Sequence, residues 1–142
     1  DWNLWGSVGY TDAEFLAGSV ADGQDVGGNK IPFTPEFTAN VGTQVGWRVC
    51  HAATLYARAE VTVYGDFEYD ASNNAGQETY SIANFRAGVR GSHWFVEGWV
   101  NNAFDTEYFP IAIPYSLAFA PSGYIAESGA PLTYGVRGGL EF

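Results

Sequence analysis

The sequence predicts an all-β chain: an antiparallel transmembrane β-barrel, of which about six strands are present. Three observations carry this reading. Apolar and polar residues alternate over long stretches. Several stretches reach about ten residues, enough to cross a bilayer core at a tilt near 45° and longer than the usual strand of a soluble sandwich. The connections alternate between tight and long, which places short turns on one side and long loops on the other.

The elements follow in order. In the first, Trp2, Leu4, Gly6, Val8 and Tyr10 oppose Asn3, Trp5, Ser7, Gly9 and Thr11, the least clean of the set. From Phe37, the apolar flank Phe37, Ala39, Val41, Thr43, Val45, Trp47 opposes Thr38, Asn40, Gly42, Gln44, Gly46, Arg48. Leu55, Ala57, Ala59, Val61 and Val63 then oppose Tyr56, Arg58, Glu60, Thr62 and Tyr64. Phe85, Ala87 and Val89 oppose Asn84, Arg86, Gly88 and Arg90. Trp94, Val96, Gly98 and Val100 oppose Phe95, Glu97, Trp99 and Asn101. The last stretch runs from Leu132 to Phe142, with Tyr134, Val136, Gly138 and Leu140 against Gly135, Arg137, Gly139 and Glu141. The links near Cys50–Ala53 and Arg90–His93 are tight, whereas Phe15–Pro35, Asp70–Thr79 and Asp105–Pro131 are long. Trp2, Tyr10, Trp47, Trp94, Tyr134 and Phe142 fall near strand ends on the apolar flank, where interfacial girdles sit. A soluble β-sandwich binding module shows the same alternation and stays open as an alternative.

Composition bounds the rest. The chain has 142 residues, the size of one domain, with 46% hydrophobic and 15% charged residues. A net charge of -10 leaves no basic stripe for phosphates, so no nucleic-acid partner is expected. No apolar run is long enough for a membrane-spanning helix. The single cysteine, Cys50, excludes an internal disulfide framework. No signal peptide is expected, and a chain that opens at Asp1 without any Met is expected to be a processed or excised piece. Six strands are too few to close a membrane barrel, and an open edge in lipid leaves backbone groups unpaired. The chain is therefore expected to be part of a larger barrel or one subunit of a shared one.

Several segments resemble TonB-dependent outer-membrane receptors. Asn101-Asn102-Ala103-Phe104-Asp105-Thr106-Glu107-Tyr108 is similar to the family's penultimate-strand motif, Asn-Leu-Phe-Asp followed by Tyr. Asn84–Val89 resembles the strand before it, and Gly129–Gly135 resembles the Gly-x-Pro-Arg-x-Tyr/Phe-Gly stretch that opens the last strand, with Leu132 in place of the Arg. Asn29–Pro35 resembles the lead into an earlier strand. Phe142 matches the terminal aromatic that the barrel-assembly machinery recognises.

The resemblance implies the last six strands of a barrel of about 22, with plug and TonB-contacting segment absent here. It implies active uptake of a metal-siderophore, cofactor or glycan across the outer membrane of a Gram-negative bacterium. The partners implied are outer-membrane lipid, the remainder of the receptor, TonB through that remainder, and the assembly machinery. A passive porin-like or structural barrel formed by self-association is the alternative.

Sites are sparse. Arg58, Glu60, Arg86, Arg90, Glu97, Trp99 and Arg137 lie on polar flanks and are candidates for the lumen or a substrate path, with cross-strand ion pairing the simpler use of the charges. Tyr108, Phe109, Tyr115 and Phe119 are outer-loop ligand candidates, in a loop whose prolines argue against one long added strand. Asp66, Glu68 and Asp70 alternate at a strand tip and form a weak Ca²⁺ candidate. His51 and His93 have no second ligand at metal spacing, and no nucleophile elbow occurs. Neither an enzyme nor a bound cofactor is expected.

Overall fold

The computed structural model describes residues 1–117 and 120–140. Its strands are β1 (Trp2–Tyr10), β2 (Val20–Ala21), β3 (Gln24–Asp25), β4 (Phe37–Cys50), β5 (Ala53–Tyr64), β6 (Phe67–Glu68), β7 (Gly76–Gln77), β8 (Tyr80–Gly91), β9 (Trp94–Asn101), β10 (Ile111–Leu117), β11 (Ala120–Glu127) and β12 (Thr133–Leu140). No helix occurs among the described residues. Six strands form one antiparallel sheet in the order β1-β4-β5-β8-β9-β12. His51-Ala52 and Ser92-His93 make the two tight turns, while the three long loops leave from the opposite end.

Register decides which flank each strand shows. Leu55 stands between Trp47 and Val89, Ala57 between Val45 and Ala87, and Val100 between Phe85 and Tyr134. These pairings join the apolar flanks of all six strands into one belt, because a pleated strand shows alternate residues to opposite faces. Among the described residues nothing packs on the belt: Val8 is 79% exposed, Val136 76% and Leu140 70%. A sandwich would cover these residues with a second layer, so the soluble reading fails here. Trp2, Trp47 and Trp94 rim the belt toward the turns, and Tyr10 and Tyr134 toward the loops. Eight residue steps separate Trp2 from Tyr10, about 26 Å along the strand, the scale of an outer-membrane apolar band.

The buried cluster lies in the loops. Phe67, Tyr69 and Ala112 form it, with Tyr80 and Ala75 packed against them. Phe33 adds its ring 6.3 Å from Phe67 and 6.1 Å from Tyr69. The loops carry their own ribbons: β2–β3 in the first, β6–β7 in the second, β10–β11 in the third. Pro114 sits inside β10 opposite Tyr124, which a two-stranded ribbon tolerates because each of its strands has a free edge.

Candidate functional site

The polar flank forms the inner wall. Glu97 in β9 is 5% exposed and lies between β8 and β12. Arg137 Nε donates to its Oε1 at 2.8 Å, and the Tyr56 hydroxyl donates to its Oε2 at 2.8 Å. Arg86 stands 3.9 Å from the same carboxylate. Gly88 separates Tyr56 from Glu97 in the register, and the absence of a side chain there lets the hydroxyl reach across. Toward the loops, Arg58 Nη2 donates to Glu60 at 2.6 Å, while Asn40 supports the other Glu60 oxygen at 3.2 Å. The Arg58 guanidinium lies 4.5 Å above the Trp5 ring, an arrangement favoured by the ring's electron-rich face.

Aromatic rings lie on glycines along this wall. The Trp5 indole covers Gly42, Trp99 covers Gly135 and Phe95 covers Gly139, each across one strand pair. A Cβ at any of these glycines collides with the ring. A pocket of about 430 Å³ opens near the turn end, lined by Tyr56, Arg58, Arg86, Arg90, Glu97 and Arg137 among others.

The loop end is tied rather than open. Tyr64, Tyr80 and Tyr108 stack in a column at centroid spacings of 5.0 and 4.7 Å, and Tyr108 lies against Gly129. Lys30 Nζ meets Glu36 at 2.9 Å and Asp66 at 3.0 Å. The hydrogen bonds that Lys30 donates to Glu36 and then to Asp66 raise the ammonium pKa above the usual lysine range; Lys30 likewise holds the Asp66 carboxyl below its ordinary value. Asn73 accepts from the Lys30 amide at 2.7 Å and donates to the Lys30 carbonyl at 3.0 Å, which imitates a strand partner. Tyr69 donates to the Phe109 carbonyl at 2.7 Å, and burial pushes its phenol pKa up. Tyr124 donates to Asp70 at 2.6 Å, and that bond raises the Tyr124 pKa.

The predicted residues divide accordingly. Arg58, Glu60, Arg86, Glu97, Trp99 and Arg137 do share one wall. Asp66 and Asp70 are held by Lys30 and Tyr124 respectively, and among the described residues no three His, Cys, Asp or Glu side chains gather as a metal site. Tyr108 is engaged in the tyrosine column, Tyr115 packs near Gly123 of its own ribbon, and Phe109 stays exposed. Phe119 and Phe142 lie outside the described residues. Sequence reasoning passed over Asn102, which is 3% exposed at φ +47°. Its side chain donates to the carbonyls of Thr106 and Ala130 and accepts from the Thr106 amide, so it ties the end of β9 to the approach of β12. Asp105 adds an acceptor for the Leu132 amide at 2.8 Å. The Asn–Asp spacing of the resembled motif was the available signal.

Solved structures that superpose on the chain decide the fold. The ferric yersiniabactin uptake receptor FyuA from Yersinia pestis superposes with a TM-score of 0.75 over 99% of the chain, at 21% identity. The siderophore receptor PiuA from Acinetobacter baumannii gives 0.68 over 96%, also at 21%. The chain has the fold of an outer-membrane receptor barrel. It spans about a fifth of either receptor, 21% and 19% of their lengths. No family model matches the sequence. The apolar belt and the Glu97 flank are the two opposite faces of this sheet, and β1 and β12 are its edges among the described residues.

Proposed function

We propose that this chain supplies wall strands and three outer loops to a receptor that imports a nutrient across the outer membrane of a Gram-negative bacterium. Metal-siderophore is the favoured cargo, ahead of a cofactor or glycan, because one similar structure is named for ferric yersiniabactin uptake and the other as a siderophore receptor. TonB would drive the transport through a plug supplied by polypeptide beyond these residues. One observation carries the reading: a bare apolar belt backs a flank on which Arg58, Glu60, Arg86, Glu97 and Arg137 all lie. Uptake of labelled ferric chelates by cells with and without the complete receptor tests it. Loss of energised uptake on deletion, restored by the gene, is expected. Unchanged uptake together with a steady ion leak from the purified protein would sink it in favour of a passive pore.

The two unpaired edges, β1 and β12, keep the self-associated barrel as the second reading. The mass of the native particle separates the two. Multiples of 15.4 kDa alone support self-association.

A further inference from the structure

Every arginine of the sequence, Arg48, Arg58, Arg86, Arg90 and Arg137, lies on the inner flank. Among the described residues the carboxylates that the registers set among them are Glu60 and Glu97, while Glu141 of the same flank lies outside the described residues. Glu60 answers Arg58, and Glu97 is saturated by Arg137 and Tyr56. Arg86 reaches Glu97 only at 3.9 Å, while Arg90 has no ion pair among the described residues. Asp1 also lines the pocket, again without an ion pair to these arginines. Arg58 and Arg86 stand directly opposite each other in register, an arrangement that destabilises a strand pair unless an anion intervenes. The arginine-lined pocket is a polar recess of about 430 Å³, and Arg90 places it beside the Ser92-His93 turn, at the end of the sheet opposite the long loops.

Wide transport barrels hold protein in their lumen. An exposed guanidinium on such a wall becomes buried when the lumen fills, and a buried charge requires a partner. A planar guanidinium is best met by the two oxygens of a carboxylate. We infer that this pocket is the docking surface for Asp or Glu side chains of the polypeptide that fills the lumen, with Arg86 and Arg90 as the clasp. The inference rests on the receptor reading above and adds the sign of the interface: a basic wall against an acidic filler.

The complete receptor carrying Arg90→Lys, treated with a zero-length carbodiimide, tests it. That reagent joins an amine to a carboxylate only where the two touch. The expected product links position 90 to an Asp or Glu in a peptide outside residues 1–142. A link only to a carboxylate within residues 1–142, or no link in protein that keeps its folded, heat-modifiable migration, overturns the inference.

A second measurement does not depend on cross-linking. In planar bilayers the Arg86→Glu/Arg90→Glu receptor should conduct about tenfold more than the unaltered protein, the equilibrium effect of losing one charge-assisted hydrogen bond. Arg86→Lys/Arg90→Lys should stay closed. A charge-reversed receptor as closed as the original overturns the proposal, and so does a closed pore that has lost affinity for ferric chelate, since the anion then belongs to the cargo. An unaltered protein that already conducts as an open pore overturns the receptor reading itself along with the clasp.

Discussion

Arg137 and Glu97 face each other across the β12–β9 ladder with 2.8 Å between guanidinium and carboxylate, and Tyr56 takes the remaining carboxylate oxygen. Three strands thus converge on one buried acid. Glu97→Ala leaves Arg137 and Tyr56 without their acceptor. Arg137 keeps partial access to water, so the expected loss is about 1–3 kcal/mol of barrel stability. Denaturant unfolding of the complete barrel in lipid vesicles measures it; a loss below the error of the method removes Glu97 as a structural centre.

Asn102 gathers its partners around a backbone at positive φ, a region that few side chains other than Asn and Asp enter readily. Asn102→Ala surrenders three side-chain hydrogen bonds and keeps the strain, for an expected cost of about 2–4 kcal/mol. Asn102→Asp is expected to be poor as well, because it sets a carboxylate against the Thr106 and Ala130 carbonyls. Faster protease cleavage between residues 103 and 132 in either variant is the readout.

Gly42 leaves room for Trp5, which in turn lies under Arg58. Gly42→Ala must push the indole aside and break that stack. A shift in the Trp5 contribution to fluorescence is expected, isolated by the difference from a Trp5→Phe control, with a loss of about 1–3 kcal/mol. An unshifted spectrum contradicts the close approach.

The Lys30 tie has a defined pH window. The Asp66 pKa is depressed below its free value of 3.8, so its contribution is complete above that pH and fades as pH falls through the folded value. The Lys30 pKa is raised above 10.5, so its share is complete below that pH and fades only as pH climbs past the folded value. Amide exchange across residues 29–36, corrected for intrinsic rates, should show flat protection from about pH 4 to pH 10. Lys30→Met should lower that protection throughout. A step near neutrality assigns the tie to other groups.

Val136 sits opposite Gly98 near the middle of the belt. Val136→Arg should cost about 2–4 kcal/mol in vesicles, the depth-dependent penalty for a cation on the lipid face. A neutral result places that flank in water.

The sheet was legible because lipid and lumen impose opposite demands on alternate residues, and Leu55–Tyr64 or Leu132–Leu140 carry that demand in plain sequence. Even the uneven first stretch forms β1, since Trp5, apolar on a polar flank, is used to cover Gly42. The fourth strand runs further than the alternation suggested, from Tyr80, because the loop cluster recruits its first residues. The pairs of the inner wall were not legible. Tyr56 and Glu97 are 41 residues apart, and only register brings them together. The loops hid most. Their order comes from single side chains bonding to backbone, as Asn73 does with Lys30, and no periodicity announces such bonds.

The rings laid over glycines bear on how such a wall can change over time. Positions on the oily side are judged only for greasiness, so Ala, Val, Leu and Phe can replace one another there with little consequence. A ring and its glycine across the ladder are bound to change as a couple, since enlarging the small one evicts the large one. Drift in this sheet should therefore be lopsided: fast where it meets the bilayer, slow and pairwise where it meets the interior, which allows a shape to persist at 21% identity.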